Sequence, residues 1–175
     1  VYLRYPDLRD LIPPDATLTS VQLVSTHEDD LLSPFDVQAK AITTAWDPRT
    51  VSSQNLPTLS GAVSGTATWD LDTGTQRSLR SINITSLAQA WHQGTQNNFG
   101  VHLSIPVAAQ SPNGVIQADL PLLLVKYTVV GIPGDPALGG SYYHDQITPP
   151  VLIPGRAVFV KRTGDVNNSI QSFLL

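Results

Sequence analysis

The stretch from Asn83 to Leu103 constrains this chain more than any other, because its hydrophobic pattern passes from strand to helix and back within a few residues. Leu79 to Ile84 reads as a strand. Leu87, Ala90 and Trp91 then share one face at spacings of three and four, the mark of a short helix. Thr85 or Ser86 can cap its start, which places the helix near residues 86–93. Gly94 is positioned to end it, since glycine tolerates the left-handed conformation past a helix terminus. A polar turn follows, and Val101, Leu103 and Ile105 alternate as a new strand does, with His102 out of phase and expected at the surface.

The rest of the chain shows the same alternation in short pieces. Val1–Tyr5 alternates and runs into Pro13-Pro14, whose missing N–H donors should end any ladder there. Leu18–Val24 puts Val21 and Leu23 on one face and Leu18 opposite them by parity. Phe35, Val37, Ala39 and Ala41 form one side of a further strand, and Trp46 to Ser60 is expected as a long ordered loop. Val63, Ala67, Trp69 and Leu71 share a face in the next strand, and Leu120–Val130 is the longest apolar run. Beyond Gly131-Ile132-Pro133-Gly134 the composition becomes loop-like. The reading is therefore a module over residues 1–130 and an extended C-terminal arm over 131–175, with strands at 156–161 and 169–175. The fold class is all-β, an antiparallel, jelly-roll-like β-sandwich with one short helix.

Composition agrees and removes several functions. The 175 residues fit a single sizeable core. Charged residues make up only 14%, while glycine and proline total 26 (12 and 14), the balance needed by many short strands joined by turns. A net charge of −4 with ten Lys and Arg argues against nucleic acid as a partner. No run approaches the roughly 20 apolar residues of a membrane-crossing helix. With zero cysteine, disulfides, thiolate metal sites and thiol catalysis are excluded. Val1 opens directly in apparent strand, so the chain reads as a processed or excised segment.

The order of motifs resembles the DNRLRE family of β-sandwich modules, which are related to carbohydrate-binding modules and occur in secreted or cell-surface prokaryotic proteins. The matching pieces are Leu3-Arg4-Tyr5 with Asp7-Leu8, the run Leu11–Leu23, Trp46, the Asn83–Leu103 stretch and Pro121–Thr128. Together they span about residues 2–128. Two departures stand out. The strand or hairpin that usually precedes the segment matching Leu3-Arg4-Tyr5 is missing, and Val51-Ser52-Ser53-Gln54-Asn55-Leu56-Pro57 replaces the family's Thr-Trp-Asn-type loop. The resemblance implies a non-catalytic module, extracellular or at the cell surface, giving adhesion or contact with a glycan or cell-surface polymer.

Candidate sites follow from residue chemistry. Sugar binding uses exposed aromatic faces, and Trp46, Tyr142 and Tyr143 are the aromatics that periodicity leaves free, whereas Trp69 and Trp91 lie on apolar faces. Glu28, Asp29 and Asp30, with Asp70 and Asp72, are acidic groups on loops, the oxygen ligands that calcium prefers; a solvated acidic loop explains them equally. Calcium is the one cofactor these groups suggest. The four histidines lack zinc-site spacing and no Gly-x-Ser-x-Gly elbow is present, so no enzyme is expected. Asn83-Ile84-Thr85 and Asn167-Asn168-Ser169 match the N-glycosylation acceptor pattern, a tripeptide common by chance, and Asn83 also sits where the resemblance expects a structural Asp or Asn, which is the preferred reading there. A different class of function is a filament or surface-layer subunit completed by strand exchange between copies. Its donor would be the arm, with Val158, Val160, Ile170 and Phe173 as the side chains that fill a neighbour's pockets.

Overall fold

An alternating segment hides its apolar row only when it pairs with neighbours and stacks on a second layer. The computed structural model, which describes residues 1–28, 35–69, 78–104, 117–118, 121–129, 146–147 and 151–158, has that arrangement: two antiparallel sheets packed as an all-β sandwich. With strands numbered along the chain, the first sheet runs β11 (Arg156–Val158), β1 (Tyr2–Arg4), β6 (Val101–Ser104), β3 (Phe35–Ala41) and β4 (Gly65–Trp69). The second runs β10 (Val151–Pro154), β8 (Leu122–Val129), β2 (Ala16–Glu28) and β5 (Ser78–Asn83). Two short strands, β7 (Gln117–Ala118) and β9 (Gln146–Ile147), add to β2 and β8.

Register explains the core. Ile82, Leu23, Leu123 and Ile153 form one row across the second sheet, and all four are buried. Leu3, Val101 and Ala41 form the facing kind of row in the first sheet, also buried. Ile153 comes from residues expected in an arm. Residues 151–158 supply an edge strand to each sheet, with only Gly155 between β10 and β11, and β11 falls within the strand expected at 156–161. Of the arm residues singled out for exchange, Val158 lies in β11 opposite Tyr2 of the same chain, while Val160, Ile170 and Phe173 lie outside the described residues.

Three local expectations need correction. Strict alternation puts Leu18 opposite Val21 and Leu23, yet all three enter the same core, because the pairing of β2 with β8 shifts between Leu18 and Ser20. This β-bulge inserts Thr19, which reverses the phase of the alternation beyond it. The Thr19 hydroxyl donates to the Lys126 carbonyl (3.1 Å), and the Gln89 side-chain amide donates to the Leu18 carbonyl (2.9 Å), so the bulge is held from both sides. Val63 is exposed rather than inward, since β4 begins only at Gly65. His102 does face outward, but that face is covered and the side chain is half-buried.

Helix α1 (Thr85–His92) lies within a residue of its expected span and buries Leu87, Ala88, Trp91 and His92. Gly94 follows at φ +71°, as its position required. The Thr85 hydroxyl does not cap the helix: it accepts from the Val21 amide (2.9 Å) and so ties α1 to β2. The side chain of Asn83 takes over at this corner, accepting from the Thr85 amide (3.0 Å) and hydroxyl (2.8 Å). On the other flank, the His92 ring Nε2 meets the Pro13 carbonyl at 2.9 Å, which anchors α1 beside the 3-10 turn at Leu8–Asp10.

Candidate contact surfaces

The sandwich leaves two outer sheet faces, and their chemistry differs. On the first sheet, Tyr2, His102 and Lys40 stand in one outward row across β1, β6 and β3. The Tyr2 and His102 rings are 4.6 Å apart. The long loop after β3 folds over this row, forming a small apolar cluster of Tyr2, Ile42 and Trp46 with Val51, Leu59 and Phe99. Trp46 meets Tyr2 edge-on at 5.9 Å, and its indole N–H donates to the Phe99 carbonyl (2.6 Å). Its own carbonyl accepts from Arg4 Nη1 (2.7 Å).

Trp46 is therefore no exposed platform. Only 9% of it is accessible, its polar atom is committed, and it serves as the lid of an outer cluster. This corrects the expectation that its ring is free for a sugar. Periodicity could not reveal it, because Trp46 lies in a loop and gains its cover from residues distant in sequence. Tyr142 and Tyr143 lie outside the described residues.

Burial drives the electrostatics of the row. The pKa of His102 is lowered to about 4, first by burial and then by nearby positive charge, Lys40 included. Its Nδ1 is buried with no hydrogen-bond partner among the described residues. No carboxylate contributes to the shift, so His102 is neutral near pH 7 and sits as a packed ring. That is the behaviour of a structural histidine.

For calcium, Glu28 ends β2 opposite Gln117, and Asp29, Asp30, Asp70 and Asp72 lie outside the described residues. Among the described residues no group of three His, Asp or Glu side chains gathers to hold a metal ion. None of their helices is long and apolar enough to cross a membrane.

The second sheet turns a different face to solvent. Leu152, Leu124, Gln22 and Asn83 form one outward row across β10, β8, β2 and β5. Pro154, Leu122, Val24 and Ser81 form the next. Leu152 is 59% exposed and Leu79, further along β5, is 70% exposed. The outward face of an antiparallel sheet is ordinarily polar. Here exposed leucines stand at both edges of the path, with Leu122 and Leu124 half-buried and Val24 buried between them. None of these residues was singled out from sequence. The usable signal was Leu122-Leu123-Leu124-Val125, where apolar residues at every position mean that both faces of the strand are apolar.

No family model matches the chain, and no curated protein or solved structure matches it either.

Proposed function

We propose that this chain is a non-catalytic β-sandwich module of an extracellular or cell-surface protein, working by adhesion through the outer face of its second sheet. The observation that carries the reading is the leucine-bearing face bounded by Leu79 and Leu152. Apolar side chains gathered on one solvent-facing sheet mark a contact surface, whereas scattered ones do not. The motif order resembling DNRLRE modules supports the surface location. With Trp46 committed to packing, a protein or polymer surface with apolar character suits this face better than a free sugar.

The test is a double variant, Leu79→Asp with Leu152→Asp, whose sites are exposed and so leave the core untouched. Binding of the labelled chain to cell envelopes of its source organism is expected to fall at least about tenfold, the equivalent of about 1.4 kcal/mol. Thermal midpoints should stay within a few degrees of the parent. Unchanged envelope binding by the folded variant would remove the reading.

A second reading, a filament or surface-layer subunit assembled by strand exchange, is favoured by one feature. Strand β11 is a three-residue edge strand added to β1, and an edge strand added within one chain can also be donated to a neighbour.

A further inference from the structure

We infer that Asn83 is an acceptor for an N-linked glycan, a modification site at the rim of the leucine-bearing face. The inference rests on the extracellular reading above for its biological setting, but its chemistry stands on the geometry of one corner.

Asn83 ends β5 and is exposed. Its Oδ1 accepts from both the amide and the hydroxyl of Thr85, at 3.0 and 2.8 Å. These two bonds fix the carboxamide, and among the described residues its Nδ2 donates no hydrogen bond. The side chain thus splits its work. The oxygen is structural, and the nitrogen is available to carry a substituent that the fold can accept. Thr85 supplies the hydroxyl that the acceptor tripeptide requires two positions on.

The same corner dictates when transfer occurs. Ile84 is fully buried and its amide donates to the Val21 carbonyl (3.0 Å), while the Thr85 hydroxyl accepts from the Val21 amide (2.9 Å). A transferase cannot engage Thr85 in the closed fold, so modification precedes docking of α1 onto β2. In the transfer, Nδ2 forms a bond to the anomeric carbon of a polyprenyl-pyrophosphate-linked oligosaccharide. The carbon–oxygen bond to pyrophosphate breaks, its electron pair leaves with the polyprenyl pyrophosphate, and Nδ2 gives up one proton to the enzyme's base.

The glycan's place follows from register. Asn83 pairs with Gln22 in the outward row that continues through Leu124 to Leu152. Strand spacing puts Leu152 roughly 14 Å away, three strands across. The glycan therefore stands at the β5 edge of the leucine face's own outward row, and can limit which partners approach along that edge.

The test is made on the full chain secreted behind a cleavable signal from a glycosylating eukaryotic cell. Glycan is released with an amidase in heavy-oxygen water, and peptides are mapped by mass spectrometry, which separates Asn83 from the second acceptor tripeptide at Asn167. Most chains are expected to show labelled Asp at position 83. The Asn83→Asp variant retains an oxygen acceptor for both Thr85 donors, so it should be secreted with an unchanged thermal midpoint and no label at that position. A folded, secreted wild-type chain with bare Asn83 would overturn the inference. Occupancy by this route with bare Asn83 in native cells would overturn the inference for the native protein, while leaving the adhesion reading, which the Leu79 and Leu152 variants test, untouched.

Discussion

Gly100→Ala is expected to lower stability by about 3–5 kcal/mol, enough to leave a marginally stable domain largely unfolded. Gly100 has φ +99°, a region where a β-carbon alone costs about 1–2 kcal/mol. The larger part comes from position. A β-carbon built there runs into the Leu3 carbonyl oxygen, and the next residue, Val101, is the register partner of Leu3 in the β1–β6 pair. The obstacle is backbone, so no rotamer change relieves it. The Gly100 carbonyl also accepts from the Ile42 amide (3.0 Å), which prevents the segment from swinging away. Urea denaturation measures the effect, and a loss below about 1 kcal/mol would mean that β1 and β6 are not neighbours.

Trp91→Ala should cost about 3–5 kcal/mol, the range for removing a large aromatic from a packed core. Trp91 is 1% exposed and lies in the main cluster with Leu87, Ala88 and the inward residues of both sheets. Its indole nitrogen is buried with no hydrogen-bond partner among the described residues, so what is lost is packing and not a hydrogen bond. A second variant uses that distinction. Trp91→Phe removes the unpartnered N–H and keeps most of the volume, and should cost less than half as much as the alanine change. Equal losses in the two variants would show that the indole N–H matters more than the ring.

Much of this architecture is written locally. Alternation in Phe35–Ala41 and in Val101–Leu103 names the residues that face the core, and the three-and-four spacing of Leu87 and Trp91 names the helix face. These patterns are legible because they depend only on neighbours in sequence. The bulge at Thr19 is not of that kind: it exists because Leu18 and Ser20 pair with adjacent residues, Tyr127 and Lys126, of a distant strand. Trp46 is similar, since its cover comes from Tyr2 and its partner is the Phe99 carbonyl.

Residues 151–158 show the same limit at larger scale. Ile153 and Val151 look like members of an isolated apolar run until β8 supplies Leu123 and Val125 beside them. The exposed leucines were illegible for a different reason. Leu79 and Leu152 belong to short strands, where parity alone does not say which side is inside. The core defines the outward row: Ile82 and Ile153 fill it, and Leu79 and Leu152 have the opposite parity on their strands.

The central claim is that two stacked sheets close within one chain, with β11 returning to β1. Because the chain has no cysteine, a single engineered pair reports on it cleanly. Arg4 and Arg156 are register partners in β1 and β11, and opposed residues of an antiparallel pair are about 4.5–5.5 Å apart at Cα, within disulfide range. The Arg4→Cys/Arg156→Cys variant, oxidised at low concentration and run on a non-reducing gel, should give a covalently closed monomer with no free thiol. Disulfide-linked dimers or ladders would show that β11 is donated to a neighbouring copy, and unreacted thiols would show that it does not pair with β1 at all.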